Sequence, residues 1–156
     1  MSKAQVFIIE SLDIEDEEKR REGEVLFRAL QMMVKKPIYR YSRTITELDH
    51  FIDEFEDSEY RYLHLSCHGS RTGVKTTFDD LSTAKLAEML GTVLDERRLF
   101  LSACQAATLD LAEQIFGGSS CYSIVGPRNK IFFDDSVVFW TSFYHLMFKH
   151  DTAAMK

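Results

Sequence analysis

Five short apolar runs, VFII at 6–9, IYRY at 38–41, YLHLSC at 62–67, LFL at 99–101 and YSIV at 122–125, constrain this chain most. Each is short enough for a strand, and each is followed by a stretch with helical spacing. After the first, Leu26, Leu30, Met33 and Val34 share a face. Ile45, Leu48, Ile52 and Phe55 do so after the second, with Thr44 and Glu47 spaced as a capping box. Leu86, Met89, Leu90 and Val93 repeat after the third, behind Ser82 as N-cap. Leu109, Ala112, Ile115 and Phe116 follow the fourth, closed by Gly117-Gly118. Asp134-Asp135-Ser136 supply capping groups ahead of a last helix, SVVFWTSFYHLMF, that is apolar nearly all round. Such alternation predicts a three-layer α/β/α fold with a mainly parallel sheet and right-handed crossovers. The five runs are expected in the order 2-1-3-4-5.

The 156 residues suit one domain, 1–156, with a single core. A net charge of −6 argues against general affinity for nucleic acid or anionic membranes, both of which need a basic surface. The acidity concentrates in DIEDEEKRREGE at 13–24, read as a solvated face at the start of a helix. Three cysteines, Cys67, Cys104 and Cys121, form no C-x-x-C pair, so neither a disulfide framework nor a zinc site is expected. No stretch has the ~20 apolar residues of a membrane span, and the N-terminal residues lack a signal peptide's apolar core. The expectation is a cytoplasmic protein whose thiols stay reduced.

Folds of this class carry their sites at the carboxyl ends of the strands. His68-Gly69 follows the third run and Cys104 the fourth. Neighbouring strands lie about 4.8 Å apart, so side chains from the two ends can meet. A free thiol is mostly protonated at neutral pH, and attack requires the thiolate. His68 as base, and the helix N-terminus expected near Thr108, both favour that anion. Backbone N–H groups of Gly69 and Cys104 could hold the oxyanion formed at an amide carbonyl. A glycine beside the histidine also leaves room for a substrate backbone. These parts suit hydrolysis through an acyl-enzyme. His64, Cys67 and Cys121 are read as packing.

YLHLSCHGS followed by RRLFLSACQAA resembles the CHAT domains, which belong with the caspase-like and separase-like cysteine peptidases. The closing segment IVGPRNKIFFDDSVVFWTSFYHLMF resembles that family's last strand, acidic loop and helix with a Phe-Tyr pair, here Phe143-Tyr144. The resemblance spans roughly residues 60–148. It implies a caspase-like fold, His68 as general base, Cys104 as nucleophile, Gly69 beside the oxyanion site, and peptide-bond hydrolysis in a protein substrate. It also implies a bacterial defence setting and activation by a protein partner. The stretch 69–103 leaves little room for an extra hairpin. For substrate binding, Ser102, Asp134 and Asp135 are singled out among Glu10, Ser11, Asp13 and Arg128, and carboxylates there would favour a basic residue before the scissile bond. No metal and no cofactor is expected.

A catalytically silent interaction module on the same fold is the alternative, and the apolar last helix also suits a homo-oligomer. Nucleotide binding is disfavoured: IIESLDIEDE, after the first run, has no glycine-rich loop, and its carboxylates repel phosphate.

Overall fold

The computed structural model describes residues 2–150. Its main sheet contains β1 (Lys3–Glu10), β2 (Ile38–Tyr41), β3 (Tyr60–Ser66), β7 (Arg98–Ser102) and β8 (Ser123–Val125), all parallel, in the order β2-β1-β3-β7-β8. These are the five predicted runs in the predicted order. Between β3 and β7 the chain adds β4 (His68–Ser70), β5 (Gly73–Lys75) and β6 (Asp80–Ser82), a small antiparallel sheet. The stretch judged too short for a hairpin therefore holds three strands. Each has only three residues, below the length at which alternation can be read.

Strand alternation sorts the central residues between two helical layers. Phe7 and Ile9, Leu63 and Leu65, and Leu99 and Leu101 join one core, with α2 (Ile45–Ser58), α3 (Thr83–Leu90) and α4 (Leu109–Gly118). Val6, Ile8, Tyr62 and Phe100 face the other, with α1 (Glu22–Met32) and α5 (Phe133–His150). This is the three-layer α/β/α arrangement.

The register organises that second face into rows. Val6 pairs with Tyr62; Ile8 pairs with His64, which pairs with Phe100; Glu10 pairs with Ser66, which pairs with Ser102. The apolar rows thus give way to a polar row at the carboxyl ends. His64 sits inside the aromatic layer, with Nδ1 2.9 Å from the Tyr144 hydroxyl and its ring edge-on to Trp140 at 4.9 Å. Burial pulls it down to about 3, so it stays neutral.

Caps follow the sequence. Thr44 Oγ1 accepts from the Glu47 N–H at 3.2 Å, and Ser82 Oγ from the Lys85 N–H at 3.1 Å. The Glu47 carboxylate reaches back one residue further than in a standard capping box, to the Arg43 N–H at 2.7 Å.

Several helical assignments need correction. Val34 lies beyond the end of α1 with φ 60° and is 90% exposed, because the chain turns left-handed there. Leu109 and Phe116 of α4 are exposed, while Leu111 and Ile115 carry its buried face. Asp134, Asp135 and Ser136 lie in the first turn of α5, one residue and more inside the helix. That helix buries Trp140, Tyr144 and Met147 but leaves Val138, Phe139 and Leu146 exposed. Among the described residues, no helix is long and apolar enough to cross a membrane.

Candidate functional site

β3 and β7 are hydrogen-bonded neighbours, and the chain continues two residues past each before reaching His68 and Cys104. The link between the two ends is tight. The Cys67 N–H donates to the Ser102 carbonyl at 3.0 Å. A Cβ built on Gly69 would stand 2.7 Å from the Cys104 carbonyl oxygen and 2.9 Å from the Ala103 Cβ. Only a glycine lets the strand that starts at His68 lie against the turn that carries Cys104. This is a different role from the one expected, since the open side of Gly69 is filled by the protein's own 103–106 turn.

His68 and Cys104 line one cavity of about 180 Å³, together with Glu22, Ser102 and Phe133. Among the described residues, no hydrogen bond joins His68 to Cys104. The Cys104 thiol instead meets the Ile131 backbone, donating to its carbonyl and accepting from its N–H, each at 3.4 Å. The Cys104 N–H has no backbone partner among the described residues, whereas the following Gln105 N–H donates to the Asn129 carbonyl at 3.2 Å. Gln105 is left-handed, with φ 57°. Cys104 therefore sits on a sharp turn between β7 and α4, whose N-cap Thr108 accepts from the Leu111 N–H at 3.1 Å.

The other side of the His68 ring is occupied. Nε2 lies 3.0 Å from Asp16 Oδ2 and 3.7 Å from Asp13 Oδ2. An ionised carboxylate only accepts, so Nε2 carries the proton in the neutral ring and Nδ1 is the basic nitrogen. The ring also packs edge-on against Phe133 at 5.6 Å.

The segment bearing the two aspartates is anchored at both ends. Thr77 donates through its hydroxyl to the Leu12 carbonyl at 2.7 Å and through its N–H to Ser11 Oγ at 3.0 Å. Arg43 grips Glu17 with two bonds, at 2.9 and 2.7 Å, and holds its carboxyl below the usual range. Lys75 Nζ stands 2.9 Å from Asp13 Oδ1.

Asp13, Asp16 and His68 offer ligand atoms within 4.8 Å of one another and could hold a divalent ion. Lys75 already brings a positive charge to that group.

Beneath the cavity lies the polar row. Glu22, the first residue of α1, is 8% exposed. Its Oε1 accepts from Ser66 Oγ at 2.7 Å and also from Ser102 Oγ. Ser136 of α5 lies 2.9 Å from Ser102 Oγ. Glu10 is fully buried, its Oε2 accepting from the Gly23 N–H at 2.7 Å and its Oε1 from the Tyr39 hydroxyl at 2.8 Å. Burial first, then Glu22, raise its carboxyl to about 7. Burial, and then the charge of Glu22, also push the Cys67 thiol up to about 12, so it stays a thiol.

Of the residues singled out for substrate binding, Ser102 lines the cavity, while Asp134 and Asp135 are exposed and lie outside its lining. Ser11 is buried against Thr77, and Arg128 lines a separate groove with Gln105 and Asn129. The acidic stretch read as a solvated face instead sends Asp13 and Asp16 to His68 and buries Glu22. Glycine after Glu22 is the one local signal: a Cβ on Gly23 would meet the Glu10 carboxyl at 3.0 Å. Compared with known proteins, the sequence matches no family model and no curated protein.

Proposed function

We propose that the chain is a cysteine endopeptidase of the caspase-like kind, with Cys104 as nucleophile and His68 as general base. The observation that carries this reading is the shared cavity. An imidazole whose Nε2 is fixed by Asp16 and a thiol on a strained turn line the same space, at the ends of adjacent strands. The resemblance of residues 60–148 to CHAT domains supports the same reading independently.

The steps follow from the groups present. His68 Nδ1 takes the proton from Cys104 Sγ, and the thiolate attacks the scissile carbonyl carbon. The oxyanion that forms accepts from the unpartnered Cys104 N–H. Collapse breaks the C–N bond, and the leaving amine takes the proton from the imidazolium. Water, giving a proton to His68, then attacks the thioester and frees the acid and the thiol. Asp16 keeps the ring in the tautomer this sequence needs, as the carboxylate does in serine-protease triads.

One feature favours the silent-module reading: the Cys104 thiol is clasped by Ile131 rather than by His68. For an active enzyme, the same feature implies an activating protein partner that moves the 127–132 loop. The bacterial defence setting follows from the family resemblance alone. A thiol-directed acyl-type probe near neutral pH separates the two readings. Selective labelling of Cys104 that disappears in His68→Ala supports the peptidase. Equal, slow labelling of Cys67, Cys104 and Cys121 overturns it.

A further inference from the structure

The last helix, α5, carries a second stripe on the side away from the core. Asp135, Val138, Phe139, Ser142, His145, Leu146 and Lys149 are all exposed, Val138 to 65% and Leu146 to 55%. At about 3.6 residues per turn they fall within about 120° of arc, opposite the buried Trp140, Tyr144 and Met147. Lone exposed apolar residues are ordinary, but Val138, Phe139 and Leu146 share one row, and a contiguous apolar row marks a contact surface. The spacing is that of a coiled-coil seam, with steps of three and four from Asp135 through Val138, Ser142 and His145 to Lys149. We propose that this face packs against the same face of a second copy of the chain, the two α5 helices running antiparallel about a two-fold axis at Ser142.

The stripe is self-complementary about that residue. Asp135 and Lys149 stand seven residues to either side of Ser142, Val138 and Leu146 four, and Phe139 and His145 three. In an antiparallel pair, Asp135 meets Lys149 of the second copy, Val138 meets its Leu146, Phe139 meets its His145, and Ser142 meets its own equivalent. Opposite charges then close both ends of an apolar patch, and the small serine at the axis lets the two backbones approach. A parallel pair sets Asp135 against Asp135 and Lys149 against Lys149. It also lays the two helix dipoles side by side in the same sense, which the antiparallel pair avoids.

Neither charge has another use within one chain. Among the described residues, the side chains of Asp135 and Lys149 join no ion pair and no hydrogen bond. The Phe139 ring is already held in place, stacked on Phe143 at 5.9 Å and edge-on to Trp140 at 5.0 Å, so docking costs it little further freedom. Val25 of α1 is exposed beside Asp134 and Val137 and extends the apolar surface past the N-terminal end of the stripe. The inference gives a geometry to the homo-oligomer that the apolar last helix suits, and it holds whether or not Cys104 is a nucleophile.

Sedimentation equilibrium of the full chain over a concentration series tests it. The wild type should pass reversibly from monomer to dimer as concentration rises. Lys149→Glu alone and Asp135→Lys alone should each weaken the dimer at least about tenfold, because each sets like charges face to face at both symmetry-related ends. The double variant D135K/K149E should associate within about threefold of the wild type, since the swapped pair again attracts. It carries an unfavourable charge at each helix end, so recovered association cannot come from a firmer helix. Both positions are exposed, and each single variant is read by itself, so one that failed to fold would leave the other to decide.

A wild type still monomeric at ~1 mM overturns the proposal and leaves the stripe to a different partner. A dimer that neither single variant weakens overturns it too, since that dimer forms through another surface. So does a double variant that associates no better than the singles, since Asp135 and Lys149 then do not face each other.

Discussion

Glu10→Gln should make the protein more stable at alkaline pH and leave it nearly unchanged at acid pH. The carboxyl of Glu10 is raised from 4.5 to about 7 in the folded state, chiefly by burial and then by the nearby Glu22. Below pH 4.5 both folded and unfolded chains hold this proton, and its contribution to stability is complete. Between 4.5 and 7 the unfolded chain releases the proton while the folded chain keeps it, so unfolding becomes easier as pH rises. Above about 7 the folded carboxyl ionises too, and the loss levels off. At about 1.4 kcal/mol per pH unit, the gap corresponds to about 3 kcal/mol.

Glutamine is a close mimic of the protonated acid in this setting. Its carbonyl can accept from the Gly23 N–H and its amide can donate to the Tyr39 hydroxyl oxygen. The variant therefore keeps both partners and removes the titration. The measurement is urea unfolding of both proteins from pH 4.5 to 8.5, with the difference plotted against pH. Titrating groups that do not interact with Glu10 cancel in that difference. The advantage of glutamine should grow from near zero to about 3 kcal/mol, equivalent to ~6–12 °C in Tm for a chain of this size. A difference that stays flat with pH, or one that favours the wild type at pH 8, would refute the reasoning.

Three further outcomes can be checked with single variants. Gly69→Ala should cost ~1–3 kcal/mol in denaturant unfolding, because the new methyl drives His68's strand off the Cys104 turn; an unchanged midpoint would show that the contact is not tight. Asp16→Asn should leave thermal stability intact but slow alkylation of Cys104 by at least about tenfold and alter its pH profile, since the ring loses its fixed tautomer; an unaltered profile would remove Asp16 from the site. Gln105→Gly should stabilise the fold by about 0.5–1 kcal/mol, as relief of the left-handed φ outweighs glycine's extra chain entropy; a loss of stability would mean that the Gln105 side chain contributes more than the strain.

The two candidate catalytic residues were legible because they follow strong local signals. An apolar run ending in His-Gly and another ending in Ser-Ala-Cys identify strand ends, and the fold class directs attention there. Glu22 and Asp16 were not legible. Both lie in DIEDEEKRREGE, where charge density reads as solvent exposure. Their roles depend on the 11–21 segment being tied down by Thr77 and Arg43, residues distant in the chain. Asp134 and Asp135 failed in the opposite way. They looked like cavity carboxylates, but α5 begins at Phe133, which turns them outward to solvent in its first turn.

Local pattern by itself determined the five strands, the strand–helix alternation from which their parallel order is read, the N-caps at Thr44 and Ser82, and a helix start near Thr108. Continuous apolar runs, helical spacing and capping chemistry act over a few residues and leave a direct trace in the sequence. The tertiary structure alone decided the three short strands of the 68–82 sheet, the hold of Asp16 on His68, and the burial of Glu22 beneath Cys104. Those features arise where register aligns Glu10, Ser66 and Ser102 and where loops from separate strands meet. Contacts of that kind are fixed by packing across the whole sheet, which no short window of residues encodes.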